Sequence, residues 1–313
     1  MTSAEPPRRD PAWLRALGSE RVGRRTIAVV LAACGVLAVL GIVDQITSRD
    51  DRAGAPPSPA RSWAAATPSP SPTFAPEAGP DTTGVPDGVT LSPLEPGRVE
   101  DDDLVLDGVH VAGDLELTGA GQVLRNSRVD GHVLVRGQDV TIEDSEVGAL
   151  SVASATHVVA RRVEVFGLLG YDGIHVTSDG EVRTSDVTIE GSWVHSPQVE
   201  SGSHYDAVQV RGVDGLTIRY STLDLGDWVP QHNAAVFLED ANGGNADVLV
   251  EQNLINGGGY ALYLTGTDVR VVGNRFGPDV HWAALYPEFA PFEESGNTWA
   301  ADGSPVGLAT EAS

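Results

Sequence analysis

The sequence predicts an all-β fold, a β-solenoid of stacked coils carried outside a membrane on one N-terminal anchor. The first observation is a recurring phrase: apolar, any, apolar, two polar positions, Ser or Asn, any, apolar. It reads Val187-Thr-Ile-Glu-Gly-Ser192-Trp-Val194 in one copy and returns at 140–147, 216–223, 248–255 and 269–276, with looser copies at 122–129 and 158–165. The marker column is Ser127, Ser145, Val163, Ser192, Ser221, Asn253 and Asn274, at offsets of 18, 18, 29, 29, 32 and 21 residues. Strand and turn residues repeating at this period, with no helical spacing, indicate a solenoid. The second observation is a short apolar triplet ahead of each phrase, and the third is an apolar run followed by a Pro-rich stretch near the N-terminus.

Each element has its own reason. Residues 1–25 form a cytoplasmic tail with six Arg against three acidic residues. Residues 26–43, TIAVVLAACGVLAVLGIV, are 18 apolar or small residues, near the lower limit for crossing ~30 Å of hydrocarbon. Arg21, Arg24 and Arg25 precede the run and Asp44 follows it, which places the N-terminus inside and the remainder outside. A cleaved secretory signal and a lipoprotein signal at Leu31-Ala-Ala-Cys34 are the alternatives to an uncleaved anchor. Residues 44–80 are a Pro/Ala/Ser-rich linker, an extended semi-rigid spacer that cannot build a core.

Residues 81–300 form the solenoid domain, and a disordered tail is expected over 301–313. Cys34 is the only cysteine, so no disulfide staples the outer region. The triplets are Val133-Leu-Val135, Leu150-Ser-Val152, Ile174-His-Val176, Val208-Gln-Val210, Val236-Phe-Leu238 and Leu262-Tyr-Leu264. Alternation along a strand turns their outer members inward and the middle one outward. Each coil is therefore expected to be strand, turn, strand, turn, with the Ser/Asn column as an inward ladder of side-chain hydrogen bonds at a turn.

At this point the chain resembles the right-handed parallel β-helix proteins of the pectin-lyase-like superfamily, and among them extracellular proteins common in actinobacteria. Gly84-Val-Pro-Asp-Gly-Val-Thr-Leu91, Val123-Leu-Arg-Asn-Ser-Arg-Val129, Gly257-Gly-Gly-Tyr260 and Gly273-Asn-Arg-Phe-Gly277 carry the likeness, which covers about residues 81–300. The resemblance implies a right-handed parallel β-helix, and polysaccharide lyases, glycoside hydrolases, uronan epimerases or non-catalytic adhesins as the range of activities. A fold of this kind hosts many functions. No hydrolase signature occurs on successive coils, and the absence of Lys excludes a Lys base.

The site is read from coil lengths. Insertions at 166–171, 195–205 and 224–233 precede one strand column, and 178–186 and 240–247 follow it, making two walls. The floor between them has an outward column His175, Gln209, Phe237, Tyr263, a small column Gly173, Ala207, Ala235, Ala261, and a third column Thr177, Arg211, Glu239, Thr265. A lane without bulk beside polar and aromatic groups would suit a linear sugar chain; small residues that merely let coils pack are the competing reading. The run His204-Tyr205-Asp206-Ala-Val-Gln209 brings imidazole, phenol, carboxylate and amide to one rim. His175, His204, Asp206 and Arg211 are the candidate catalytic residues, with a His as base or acid, Asp206 orienting it and Arg211 neutralising a carboxylate or oxyanion. Tyr205, Gln209, Phe237, Glu239 and Tyr263 are the candidate substrate contacts. Asp172 and Asp206 share inward parity, so a role as caps at the start of each strand stays open.

Asp206, Asp224, Asp227, Glu239 and Asp240 offer hard oxygen ligands of the kind Ca²⁺ takes, although no recognisable calcium loop arranges them. Residues 44–313 hold 14 Arg and 41 acidic residues, a formal −27, which disfavours nucleic acid and anionic polymers. The expectation is a monomeric, membrane-anchored extracellular protein that binds, and cleaves or modifies, polysaccharide; a non-enzymatic adhesin or cell-wall spacer is the alternative.

Overall fold

The computed structural model describes residues 77–179 and 182–308. The anchor at 26–43, the N-terminal tail and most of the linker lie outside the described residues. Every strand-to-strand pairing among the described strands is parallel, and the strands fall into two sheets, of 17 and nine strands. The larger sheet folds at a corner, so each coil presents three strands rather than the expected two. One full coil shows the plan: Trp193–Val194 on the first ladder, Tyr205–Arg211 on the second and Val213–Arg219 on the third. In the compact coils, single strands such as Glu146–Ala153 run through the corner and serve both the first and second ladders.

The recurring phrase is thus two strands and the sharp corner between them. In every coil the residue before the marker column is left-handed: Asn126, Asp144, Arg162, Gly191, Tyr220, Gln252, Gly273 and Gly296, with φ from 48 to 67°. Five of these eight are not glycine, and such a conformation is uncommon for side chains like Arg, Tyr and Gln. The marker residue stabilises it. Its side-chain oxygen accepts the backbone N–H of the corresponding residue one coil earlier: Ser145 from Ser127 at 3.1 Å, Ser221 from Ser192 at 3.1 Å, Asn253 from Ser221 at 2.9 Å, Asn274 from Asn253 at 3.0 Å and Asn297 from Asn274 at 3.0 Å. These residues are buried, as the sequence reading expected of an inward ladder. Val163 interrupts it, because its side chain has no acceptor to offer.

Inside the coils the apolar triplets stack in register. Leu115, Val133, Leu150, Ile174, Val208, Val236 and Leu262 form one column, all at 1% exposure or less. Each aliphatic side chain buried there contributes about 1.5–3 kcal/mol, and the column runs unbroken through short and long coils alike. The chain also continues past residue 300. Val306 N–H donates to Asn297 O at 3.1 Å, Thr298 bridges Pro305, and Leu308 is buried against the last coil. The tail expected to be disordered from 301 is therefore ordered as far as 308.

Candidate functional site

The outward column of the second ladder is in register as the sequence reading expected. Ser151, His175, Gln209, Phe237 and Tyr263 lie side by side, and Tyr286 extends the row, its ring stacked on Tyr263 at 4.3 Å. All are partly exposed. Beside them, Arg211 Nε sits 3.0 Å from Glu239 Oε2, an ion pair whose angle is too poor for a hydrogen bond. Gln209 Nε2 donates to the same Glu239 oxygen at 3.4 Å. His175, Gln209, Arg211, Glu239, Phe237 and Tyr263 therefore share one face. Burial, reinforced by the Arg211 charge, pushes the His175 imidazole below its ordinary value, so it is neutral at pH 7.

The flanking columns differ from expectation. Ala207, Ala235 and Ala261 are at 0% exposure and Gly173 is buried, so no open lane exists. A Cβ on Gly173 would lie 2.4 Å from Val194 Cγ1 and 2.9 Å from the Tyr205 hydroxyl. Where the chain turns from the first ladder to the second, these small residues admit close packing across the corner. In the third column Thr177 is also buried, with its Oγ1 accepting from Asn242 Nδ2 at 3.0 Å, and Thr265 lies beyond its strand.

The run 204–206 separates into three environments. Asp206, 1% exposed, is interior: its Oδ1 accepts from Asn233 Nδ2 and from Ala234 N, each at 2.9 Å. It thereby pins a register shift in which Asn233 is the extra residue. Asp172 makes an equivalent bond one coil earlier, with Oδ1 accepting Asp206 N–H at 2.9 Å. Asp206 is thus a cap and not the partner of His204. Burial, then the neighbouring Asp172, raises its carboxyl well above the usual range. Tyr205, expected at the rim, is 2% exposed and part of the core, and its hydroxyl has no hydrogen-bond partner among the described residues. His204 is exposed on a cavity of about 250 Å³ that it shares with Tyr171, Asp172, Gln198, Ser203 and Tyr205. Burial, with the Glu239 charge adding to it, raises Asp172 to about 6.

Several residues escaped the sequence reading. His132 stacks on Tyr171 at 4.5 Å and its Nε2 lies 2.8 Å from Ser151 Oγ, which extends the polar floor onto a compact coil. An aromatic series continues the opposite end. Phe237 meets Tyr263 at 5.2 Å, Tyr260 meets Tyr263, Tyr286 and Trp282 at 5.5, 5.1 and 5.1 Å, and Trp228 stacks on His281 at 3.8 Å beside Trp282. Gly259 makes room for it, since a Cβ there would lie 2.4 Å from the Trp282 ring. Trp228, Tyr260, Trp282 and Tyr286 come from a loop, a strand start and the last coil, so no common period marks them; only their residue types could have.

The acidic side chains named for Ca²⁺ do not gather. Asp206 is the cap just described, Asp224 accepts from Asn256 Nδ2 and Gly226 N, and Glu239 faces Arg211. Among the described residues no group of three or more His, Cys, Asp or Glu is placed to hold a metal ion.

No protein-family model matches the chain, and a search of the curated proteins finds no match. Among solved structures, the chain is similar to an alginate lyase from a Paenibacillus species at 14% identity, over 67% of this chain and 78% of that one, with a TM-score of 0.42. It is also similar to a tailspike protein mutant of E. coli bacteriophage HK620 in complex with a pentasaccharide, at 13% identity, over 67% of this chain and 57% of that one, with a TM-score of 0.20. Overlaps this loose carry no functional argument. The class that the fold and the face define is a parallel β-solenoid with one polar and aromatic surface.

Proposed function

We propose that the protein is a membrane-anchored, extracellular, right-handed β-helix that binds polysaccharide along the second ladder, from His175 to Tyr286. The observation that carries this reading is the aromatic series, with Trp282 at 56% exposure standing at its outer end. Partly exposed rings in a row offer flat apolar faces to the C–H faces of sugar rings, while Gln209, Arg211 and Glu239 offer hydrogen bonds beside them. Successive coils repeat these groups every ~4.8 Å, which suits a linear chain lying across them. The acidic outer region favours neutral or amino sugars over polyuronates.

Binding is favoured over turnover by the arrangement of the four candidate catalytic residues. Asp206 is interior and capped, Arg211 is engaged by Glu239, and His204 lies on a separate cavity from His175. A spacer without a ligand is the competing reading, and it leaves the exposed tryptophan and the ring series without a purpose. Calorimetry of the full-length protein against neutral and amino glycans tests the proposal: Trp282→Ala and Tyr286→Ala should abolish binding that the wild type shows. No binding by the wild type to any glycan would leave the spacer. A reporter fused after Asp44 should be active only outside the membrane, and lipid labelling at Cys34 would overturn the anchor.

A further inference from the structure

We propose that Ser196, His195 and Glu164, on the first ladder and the loop that leaves it, form an acyl-transfer site of the serine-nucleophile type, which hydrolyses carboxylic esters of uncharged alcohols. The site belongs to a different ladder from the aromatic face and does not depend on what that face binds.

The first observation is a continuous hydrogen-bonded chain through the three side chains. Ser196 Oγ lies 2.8 Å from His195 Nδ1, and His195 Nε2 lies 3.1 Å from Glu164 Oε1. A carboxylate only accepts, so in the neutral ring Nε2 carries the proton and donates to Glu164. Nδ1 then holds the lone pair, and the Ser196 hydroxyl donates to it. A hydroxyl, a base and a third group that fixes the tautomer of the base are the parts of an activated nucleophile. Glu164 is left to this role because Glu146, its register partner, is engaged by Arg128.

The second observation is that the base is held rigidly. The His195 ring lies on Trp193, with centroids 3.6 Å apart and planes at 16°, and its backbone N–H donates to Val165 O at 3.0 Å. The N-terminal segment packs on the carboxylate. Gly84 N–H donates to Arg162 O at 3.0 Å, and a Cβ on Gly84 would lie 2.7 Å from Glu164 Oε2. Ring and carboxylate are thereby largely shielded, whereas Ser196 is exposed.

The third is the backbone at Ser196. Its φ is 51°, although Pro197 follows and a residue before proline is pushed to extended conformations. Ser196 is not one of the corner residues, and no ladder bond holds it there. Its carbonyl instead packs on Gly167, where a Cβ would lie 2.3 Å from Ser196 O. A strained serine on a tight turn is a means of presenting a nucleophile from a rigid scaffold. The backbone N–H groups of Ser196 and Gln198 make no hydrogen bond among the described residues, which leaves donors on the same turn for an oxyanion.

In the reaction Ser196 Oγ adds to the ester carbonyl carbon while its proton passes to His195 Nδ1, and Glu164 stabilises the imidazolium. Collapse breaks the bond to the alcohol oxygen, which takes the proton from Nδ1 and leaves. Water adds to the acyl-serine and gives a proton to Nδ1; the carboxylic acid then departs as Oγ takes that proton back. Glu164, Glu146 and the acidic outer region disfavour anionic esters, so the substrate is uncharged.

A fluorophosphonate probe, which phosphonylates activated serines with loss of fluoride, tests the site on the full-length protein, with p-nitrophenyl acetate hydrolysis in parallel. Peptide mass spectrometry should find the label on Ser196. Ser196→Gly should abolish labelling and hydrolysis with the melting temperature unchanged, because glycine suits a φ of 51°. His195→Ala should lower kcat about 100-fold or more. Glu164→Gln should lower kcat about tenfold or more and leave KM unchanged, a split that a merely structural carboxylate would not produce. Wild-type kcat should fall on acidification below neutral pH, since a proton on Nδ1 removes the base. An unlabelled Ser196 in the wild type, hydrolysis that persists in Ser196→Gly, or an unchanged kcat in Glu164→Gln would overturn the proposal.

Discussion

The compact coils around residues 123–165 and the long coils from 166 to 286 share one interior and differ on the outside. Both keep the same aliphatic columns and the same corner ladder. On the compact coils the outward positions are filled by ion pairs: Arg125 with Asp107 at 2.9 Å, Arg162 with Asp144 at 2.6 Å, and Arg128 with Asp130 at 2.7 Å and with Glu146. On the long coils the second ladder turns out Gln209, Phe237, Tyr263 and Tyr286, flanked by loops. Partly exposed surface pairs add little stability, so that outer layer costs little to exchange. A repeat whose interior stabilises it coil by coil leaves its outer columns free to carry function.

The comparison breaks first at the interior. Replacing Val208, at 0% exposure, by Asp should lower stability by about 4 kcal/mol or more in denaturant unfolding, because an unpaired charge enters the core. Gln209→Asp, one residue along and outward, should stay within about 1 kcal/mol. Equal damage at both would mean that the two faces of the strand are not distinct.

The corner ladder is the next test. Asn253 accepts from Ser221 N and donates to Ile218 O and Asn274 Oδ1, at 2.9, 2.9 and 3.0 Å, so Asn253→Ala should remove about 3 kcal/mol. Ser145 makes two such bonds, to Ser127 N and Glu143 O, and Ser145→Ala should remove about 1–2 kcal/mol. Identical losses would show that Asn and Ser are equivalent at the corner.

A pH series isolates the long coils. Asp172 has a folded value of about 6 against 3.8 for the free group, so its contribution is fully present below pH 3.8 and disappears as pH rises through 6. Asp206 acts with the same sign. Asp172→Asn should therefore gain on the wild type by about 2 kcal/mol between pH 4 and pH 7, after discounting for partial exposure. A constant gap between the two proteins across that range would remove the buried-carboxyl account.

The smallest effect is on binding. Tyr263→Ala should reduce glycan affinity about tenfold with little change in melting temperature. Thr188→Ala, on the outward face of the third ladder, should change neither. A loss shared by both would place binding elsewhere on the rod.

What the sequence determined by itself was everything that repeats. The alternation in Val208-Gln-Val210 and its five sister triplets defined the second ladder and its register, because a strand side chain must point either in or out. The Ser/Asn column announced the hydrogen-bonded corner, since only small polar side chains reach the neighbouring coil's backbone there. The face shared by His175, Gln209, Arg211, Glu239, Phe237 and Tyr263 followed from that register alone. What only the tertiary structure decided depends on how the loops fold back. The left-handed residue at that corner was hidden, because Arg162, Tyr220 and Gln252 are not turn formers by type; the ladder holds them in the left-handed region. Gly173, Ala207, Ala235 and Ala261 look like an open lane along the strand, yet the bend between two ladders packs them shut. Asp206 has the inward parity of a cap and is one, whereas Tyr205 alternates outward in the sequence yet lies in the core beside the register shift at Asn233. Trp228, Tyr260, Trp282 and Tyr286 meet only because chain segments of unrelated spacing come together, and periodicity carries no information about contacts that are not periodic.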